Sequence, residues 1–407
     1  MSRLNGNPQR LDVDVEEDRY HRQTLISWWD QPRLRDSSVL VVGAGALGNE
    51  LVKNLALVGV GTIIVADLDR IENSNLARCV FFRGGDEGRY KAEVVAERAR
   101  DLNPDVRVVP LVGDIRLRAG LGLFSEVDIV LGGLDNREAR LFVNQACWKT
   151  STPWVDGAIE GLMGVVRVFD PPDSACYECT LNDRDFEILA SRRTCALLSR
   201  DEMLSGKVPT TATTSSVVAG MQVQEAIKLL HRDELGDPVL AGAGFHFVGL
   251  THDSYVVRYP RRDECLSHDT YDLAHAHIVD TDPKFHELLE LAQEKLGAEA
   301  LLELEHEVVL SASCGSCGHV VQIRRPIYDL KAGQGICPTC GNQWQLHFAH
   351  SIDVGDSELL ELRPSELGLP PADIVVGRVE FDRTYFLLTG GESAVDVVAS
   401  APIEVAG

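Results

Sequence analysis

The sequence predicts an α/β fold, a doubly wound and mostly parallel sheet followed by a small cysteine-rich C-terminal domain. Two observations predict the sheet: apolar, β-branched runs alternate with amphipathic stretches between residues 38 and about 158, and the first run ends in a glycine-rich turn. A third observation, two cysteine pairs between about residues 308 and 350, predicts a module held together by metal. The 407 residues suffice for two or three domains.

The elements of the first domain follow in alternation. Buried strands are predicted at 39–42, 63–66, 106–111, 129–131 and 154–155, and helices at 46–58, 91–102 and 138–148. An antiparallel strand is expected at 164–169, and a long helix at 214–230 follows a polar stretch of about 180–213. A further helix is expected at 284–296, before a strand-like tail. The sequence therefore divides into a disordered lead-in (1–18), a nucleotide-binding domain (19–270) and a C-terminal domain (271–407).

Composition excludes several classes of partner. The net charge of −23 argues against nucleic acid and anionic membranes, which attract basic surfaces. No apolar run approaches the roughly 20 residues of a membrane helix, and the N-terminal residues lack a hydrophobic signal core. Seven of the ten cysteines fall into metal-like spacings, which favours zinc and free thiols in a reducing compartment. We therefore expect a cytoplasmic protein.

The stretch GAGALG fits the Rossmann fingerprint, with glycines at 43, 45 and 48. Such glycines allow a tight turn and let a phosphate approach the N-terminus of the following helix. Asp67 stands at the end of the next predicted strand, where a carboxylate can accept both ribose hydroxyls. The motif alone is weak, because a strand, turn and helix without any ligand has the same pattern.

The residues that follow favour ATP over a dinucleotide. Asp69, Asn75 and Arg78 come just beyond the second strand, Lys91 begins the next helix, and Asp135 follows a later strand. Two cations and a metal-binding acid at strand ends suit a triphosphate with Mg²⁺. Lys91 or Arg78 taken singly could be an ordinary surface charge, but a dehydrogenase needs no such set.

Two sets of residues have the spacing of zinc ligands. The first pairs C-x2-C with a distant C-x2-H and comprises Cys176, Cys179, Cys265 and His268. The second has the zinc-ribbon arrangement and comprises Cys314, Cys317, Cys337 and Cys340. Four ligands close a tetrahedral site, so both zinc ions would be structural. The alternatives are a redox pair beside an unrelated cysteine for the first set, and a reduced thiol cluster for the second.

The order of the motifs RYHRQ, GAGALG, DLD, SNLAR, KAE, LDN and CYEC resembles the ThiF/MoeB/HesA and ubiquitin-activating-enzyme superfamily over roughly residues 19–268. This resemblance implies adenylation of the C-terminal glycine of a small β-grasp protein. It implies that Asp67 holds the ribose, that Mg²⁺ is held by Asp135, and that Arg22 reaches the ATP of a partner subunit in a homodimer. The phosphates would be held by Asn75, Arg78 and Lys91. Two departures are Cys79, where a glutamine is common, and His268, where the family often has a cysteine.

Cys195 is the candidate nucleophile. It lies in the polar stretch, and Arg192 and Arg193 just before it would favour the thiolate. The layout resembles the catalytic-cysteine loop of the same superfamily, where the cysteine takes the acyl group as a thioester. An unreactive loop thiol, as in members that only adenylate, is the alternative.

We therefore expect an enzyme that adenylates a ubiquitin-like or sulfur-carrier protein with ATP and Mg²⁺ and then forms a thioester on Cys195. A conjugating or sulfur-transfer enzyme would act next. The alternatives are a peptide-adenylating or sulfur-transfer enzyme without a protein thioester, and a non-catalytic dimer partner. An NAD-dependent dehydrogenase is disfavoured, because no His/Arg/Asp substrate set is evident.

Overall fold

The computed structural model describes residues 18–186, 209–236, 238–330 and 335–402. The first sheet has eight strands: β1 Ser38–Val42, β2 Thr62–Asp67, β3 Arg107–Val112, β4 Ile129–Gly132, β5 Trp154–Glu160, β6 Met163–Phe169, β7 Ala243–Val248 and β8 Asp253–Arg258. They lie in the order β3-β2-β1-β4-β5-β6-β7-β8. The first five in that order are parallel, and β6, β7 and β8 each pair antiparallel. We call the edge at which β1, β2 and β4 end the carboxyl edge.

Helices cover both faces of this sheet. They are α1 His21–Thr24, α2 Gln31–Asp36, α3 Ala46–Val58, α4 Lys91–Leu102, α5 Ile115–Arg118, α6 Leu121–Glu126, α7 Arg137–Lys149, α8 Ala212–Leu230 and α9 Arg232–Leu235. Side chains alternate along a strand. Val39 and Val41 accordingly pack toward α3, α4 and α8, whereas Leu40 and Val42 pack toward α6 and α7. None of the described helices is long and apolar enough to cross a bilayer.

A second sheet of six strands forms after the first ends. Its strands are β9 His277–Val279, β10 Leu301–Ser313, β11 Val320–Pro326, β12 Gln345–Ile352, β13 Ile374–Val379 and β14 Asp382–Leu388. The order is β11-β10-β13-β14-β9, and β12 also pairs with β10. The remaining helices are α10 Phe285–Leu296, α11 Ser357–Leu360 and α12 Ala394–Ser400. Phe285 and Leu288 of α10 pack with Val375 and Phe386 to form the core of this sheet.

The predicted fold class is confirmed, and the bounds of three elements differ from expectation for identifiable reasons. The strand predicted at 154–155 continues to Glu160, because its pairing with β6 runs on past the end of β4. The strand predicted at 106–111 begins one residue later, since the Val106 amide closes a turn onto the Asn103 carbonyl. Helix α8 begins at Ala212, and Thr211 caps it by accepting from the Thr214 amide. Residues 1–17 of the predicted lead-in lie outside the described residues.

The last helix of the chain packs on the first sheet. Val395, Val397 and Val398 of α12 belong to the same apolar cluster as Ile64 and Val109. Polar contacts fix the helix at both ends: Glu126 accepts from Ser393 and Ala394, and Arg118 donates to the Pro402 carbonyl at 2.7 Å. Helix α12 therefore completes the cover of the first sheet on the face where α6 and α7 lie.

We predict that Val398→Ala lowers the free energy of unfolding by about 2 kcal/mol, because it leaves a cavity in this shared core. Val398 is 1 % exposed, whereas Val354 is 69 % exposed, so Val354→Ala is the matched control. Denaturant unfolding measures both variants. Equal stability of the two variants would show that α12 is not part of the core.

Candidate active site

The turn between β1 and α3 contains three glycines, of which two are required by close contacts and one leaves open space. Gly43 has φ +100°, and a Cβ there would lie 2.6 Å from the Gly133 carbonyl oxygen. A Cβ at Gly48 would lie 1.8 Å from the Gly43 carbonyl oxygen, so this glycine lets the helix sit close against the turn. A Cβ at Gly45 would meet no heavy atom within 4 Å. The open space at Gly45, at the N-terminus of α3, is where a phosphate can approach the backbone.

The carboxylate of Asp67 ties this turn to the end of β2. One oxygen accepts from the Ala44 amide at 2.6 Å, and the other accepts from the Asp69 amide at 2.7 Å. Burial raises the pKa of Asp67 to about 6, although Lys91 and the two amides favour the charged form. Asp67 is therefore ionised at neutral pH and can accept further hydrogen bonds, as a ribose would require.

Lys91 stands at the start of α4 beside these carboxylates. Its Nζ donates to Asp69 Oδ2 at 2.8 Å, and its side chain is 12 % exposed. Burial opposes the charged ammonium, but the charges of Asp67 and Asp69 outweigh it and raise the pKa of Lys91. The structure thus brings together Asp67, Asp69 and Lys91 next to the glycine turn, and it presents a fixed cation there.

Asn49 is a site residue that the sequence analysis missed. It is fully buried in α3, and its Nδ2 donates to the Ala44 carbonyl at 2.8 Å and to the Gly45 carbonyl at 3.1 Å. Its Oδ1 accepts from the Phe81 amide at 3.0 Å. Asn49 therefore joins the glycine turn to the segment that carries Arg78. The sequence carries no distinguishing signal for Asn49, because Glu50, Lys53 and Asn54 are polar residues of the same helix.

Asn75 and Arg78 lie on that segment, after β2. Asn75 is buried and accepts from the Glu72 amide at 2.9 Å, which shapes a short 3₁₀ turn over Asn73–Asn75. Arg78 donates to the Ser74 carbonyl at 3.2 Å and is partly exposed. Burial raises the pKa of the neighbouring Cys79 to about 11, so this extra thiol stays protonated at neutral pH.

Asp135 lies on the loop from β4 to α7. The Gly133 amide donates to the Val42 carbonyl at 2.8 Å, which sets the start of this loop against the glycine turn. Asn136 caps α7 by accepting from the Ala139 amide at 2.7 Å. Asp135 is exposed between these fixed points, and its carboxylate makes no hydrogen bond to the described residues. It is therefore available to a metal ion or ligand at the carboxyl edge.

Arg22 is not brought to the other site residues of its own chain. It is exposed on α1, and the next residue, Gln23, donates to the Leu57 carbonyl near the C-terminal end of α3. The glycine turn lies at the other end of α3, whose 13 residues span about 20 Å. Arg22 is therefore remote from the glycine turn of its own chain.

Cys195, and most of the polar stretch of about 180–213, lie outside the described residues. The residues on either side are described, and both contact the carboxyl edge. Asp185 pairs with Arg137 at 3.0 Å, directly after the Asp135 loop. At the other side, the Pro209 carbonyl accepts from the Gly161 amide at 2.7 Å, at the turn between β5 and β6.

The four ligand atoms of the first predicted metal set lie within 4.8 Å of one another. Cys176 Sγ is 3.7 Å from Cys179 Sγ and 3.5 Å from Cys265 Sγ, and Cys179 Sγ is 3.5 Å from His268 Nε2. Zinc–sulfur bonds of about 2.3 Å in a tetrahedron place sulfurs about 3.8 Å apart, close to these values. The Trp148 ring stacks on His268 with centroids 4.6 Å apart. This donor set fits a closed zinc site.

The second set also converges within 4.8 Å. Cys314 Sγ lies 3.4 Å from Cys340 Sγ, and Cys317 Sγ lies 3.6 Å from Cys337 Sγ. The two cysteine pairs have matching backbones, in which the Gly318 and Gly341 amides each donate to the first cysteine's carbonyl at 2.9 Å. Both glycines have positive φ, of 72° and 74°, which a side chain would disfavour. Four thiolate donors in this arrangement fit zinc.

Comparison with known proteins gives a consistent family signal. The profile of the ThiF family matches residues 20–267, and the match ends before the second sheet. Human ubiquitin-like modifier-activating enzyme 7 is 42 % identical over 180 residues, which are 42 % of this chain and 18 % of that protein. The sulfur carrier protein ThiS adenylyltransferase of Escherichia coli K12 is 34 % identical over 216 residues, 52 % of this chain and 80 % of that protein.

Among solved structures, E. coli MccB with succinimide has a TM-score of 0.51 and 25 % identity. The alignment covers 62 % of this chain and 74 % of MccB. This chain thus spans less than a fifth of the human relative's length but most of the length of the two bacterial proteins.

We predict about two zinc ions per chain, one for each four-ligand set. Cys176→Ser and Cys317→Ser should each lower the zinc content by about one ion, as measured by metal analysis of the purified protein. Cys147→Ser is the control, because this buried thiol lies outside both sets. A zinc content that neither variant changes would contradict the assignment of ligands.

Proposed function

The chain belongs to the ThiF family, and on that premise we propose that it uses ATP to adenylate the C-terminal carboxylate of a small β-grasp carrier protein. The observation that carries the proposal is the contact of Asp67, Asp69 and Lys91 beside an open glycine turn. A half-buried acceptor for ribose and a fixed ammonium for phosphate lie on the same edge of the sheet. That combination supports a nucleoside triphosphate rather than a dinucleotide.

The reaction needs no covalent nucleophile in its first step. A carboxylate oxygen of the carrier attacks the α-phosphorus, the bond to the bridging oxygen breaks, and pyrophosphate leaves with the electron pair. The product is an acyl adenylate, whose AMP is a good leaving group. Charge neutralisation and alignment supply most of the catalysis. In this proposal Lys91, Arg78 and Asn75 hold phosphate oxygens, and Asp69 keeps Lys91 in place.

Asp135 would hold Mg²⁺, because it is an exposed carboxylate at the carboxyl edge without a hydrogen bond to the described residues. The bound ion would neutralise charge on the phosphates. Zinc in the two cysteine sets would be structural, since four protein ligands leave no open position.

An apolar patch beside the site supports a protein as the second substrate. Leu162, Met163 and Leu250 are 38 %, 47 % and 76 % exposed. They lie at two adjoining turns, because the Gly249 amide donates to the Leu162 carbonyl at 2.7 Å. β5 is parallel to β4 and leads into this patch, which therefore lies just beyond the carboxyl edge. A carrier body seated there could direct its C-terminal tail toward the nucleotide.

The position of Arg22 supports a homodimer. Since Arg22 is about one helix length from its own glycine turn, any contact with ATP would be made in the partner's site. Exposed apolar side chains next to it, Leu25 at 65 % and Ile26 at 40 %, suit burial against a second copy.

Cys195 would then accept the acyl group as a thioester, with AMP leaving as the thiolate attacks the carbonyl carbon. The contacts of Asp185 and Pro209 with the carboxyl edge support this step, because both sides of the undescribed segment begin near the adenylate. The alternative is direct passage of the acyl group from the adenylate to sulfide or to another acceptor.

We predict that Asp135→Ala abolishes carrier-dependent ATP–pyrophosphate exchange, because it removes the proposed Mg²⁺ ligand. Lys91→Ala should slow the exchange at least about 100-fold, because it removes a cation that faces the phosphates. Lys284→Ala is the control, since this lysine has a carboxylate partner at the same 2.8 Å but lies in the second domain. Wild-type exchange in both site variants would rule out the proposed site.

The same assay tests whether Arg22 acts across the dimer. Arg22→Ala and Lys91→Ala chains should each be impaired alone and should recover part of the activity when mixed, because a mixed dimer contains one intact site. Failure to recover, with mixed dimers present by mass spectrometry, would place Arg22 outside the reaction.

Cys195→Ala should keep pyrophosphate exchange while losing the covalent carrier adduct that thiol reductants cleave. Adenylation needs only the phosphate site, so the two steps should separate. Mass spectrometry of the enzyme with ATP and carrier locates the adduct, and Cys79→Ala and Cys147→Ala are the controls. An adduct on Cys195→Ala, or on Cys79, would show that the nucleophile is misassigned. Absence of any adduct would favour the direct-transfer alternative.

A further inference from the structure

Arg140 lies in the first turn of α7 and contacts the loop that carries Asp135. It is not among the site residues predicted from the sequence. The residue is 8 % exposed, so its guanidinium is almost entirely inside the protein. A charged group is buried at this depth only when its hydrogen bonds are satisfied. Its partners therefore indicate what it holds in place.

The guanidinium donates to three acceptors on two separate pieces of chain. Nε donates to Asp156 Oδ1 at 3.0 Å on β5. Nη2 donates to the Gly157 carbonyl at 3.1 Å, one residue further along the same strand. Nη2 also donates to the Leu134 carbonyl at 2.5 Å. Leu134 directly precedes Asp135, so Arg140 fastens the loop to the sheet at that point.

The other partner in this contact is itself fixed. Asp156 is fully buried, and its second oxygen accepts from Arg167 Nε at 3.1 Å. A Cβ at Gly132 would lie 3.0 Å from Asp156 Oδ1, so a side chain there would crowd the carboxylate. The bonds to Asp156 and Gly157 therefore fix the Arg140 guanidinium to β5, and from this fixed position it donates to the Leu134 carbonyl.

The loop is thus restrained on both sides of Asp135. Arg140 holds the carbonyl of Leu134, and Asn136 is held as the cap of α7. Between them Asp135 is exposed, three residues beyond the end of β4. Two arginines share the single buried carboxylate of Asp156, which leaves an excess positive charge beneath the loop.

We propose that Arg140 is a positioning residue that sets the Asp135 carboxylate for the metal bound to the triphosphate. This inference rests on the proposed function. A residue that fixes a metal ligand from outside the ligand set affects metal affinity more than nucleotide affinity. Lysine at position 140 could keep the charge, but one ammonium cannot make the same planar set of bonds to three acceptors.

The test is calorimetric titration of a non-hydrolysable ATP analogue into the full chain, with Mg²⁺ and with EDTA. The ratio of the two affinities isolates the contribution of the metal. For Arg140→Lys we expect affinity in EDTA within about twofold of wild type and a Mg²⁺ enhancement reduced at least about tenfold. Arg167→Lys is the matched control, because it disturbs the same Asp156 pair without touching the Leu134 carbonyl. Thermal melting of both variants checks that they fold.

An unchanged Mg²⁺ enhancement in Arg140→Lys would overturn the inference, as would an equal loss in Arg167→Lys, which would indicate a merely structural role. Asp135→Asn distinguishes these results from failure of the proposed function. If wild type and Asp135→Asn bind the analogue alike with and without Mg²⁺, the metal role of Asp135 is wrong and the inference falls with it. If only wild type shows the enhancement, Asp135 does bind the metal, and the Mg²⁺ enhancement of Arg140→Lys then tests whether Arg140 positions it.

Discussion

The arrangement at the carboxyl edge depends on one half-buried carboxylate, that of Asp67. Asp67 accepts from the Ala44 amide and from the Asp69 amide, and so fixes the glycine turn relative to the end of β2. Asp69 in turn places Lys91, through its carboxylate and through a backbone bond from the Lys91 amide at 3.0 Å. Without Asp67, the hydrogen bonds that join the glycine turn to Asp69, and through Asp69 to Lys91, would be lost.

The charged form of the Asp67 carboxylate lowers the free energy of unfolding. Burial raises its pKa from 3.8 to about 6, so the folded chain binds this proton more tightly than the unfolded chain. Its contribution to stability is therefore greatest below about pH 4 and falls as the pH rises through 6. At neutral pH the charge is destabilising, and Lys91 and the two amides offset it in part. In the proposed function, hydrogen bonds from a ribose would explain why the charge is kept.

Local pattern predicted the parts of the molecule that depend on neighbours in sequence. Alternating β-branched runs marked the parallel strands, and the glycine spacing marked the turn. The cysteine pairs marked two clusters whose ligand atoms do converge. What the sequence could not indicate were contacts between distant segments. Arg140 meets Leu134 and Asp156, and α12 meets β3, because of topology that no local pattern encodes. Strands β7 and β8 escaped prediction because the alternation in β7 is short and follows Gly244, whereas in β8 three apolar residues stand in succession at 255–257.

We propose that the carboxyl edge directs attack to the α-phosphorus of ATP. The most direct measurement is identification of the nucleotide products after incubation with Mg²⁺, ATP and a candidate carrier ending in glycine, by chromatography and mass spectrometry of the carrier. We expect pyrophosphate to form together with a carrier that bears AMP at its C-terminus. Formation of ADP and phosphate, with a carrier that never carries AMP, would contradict it.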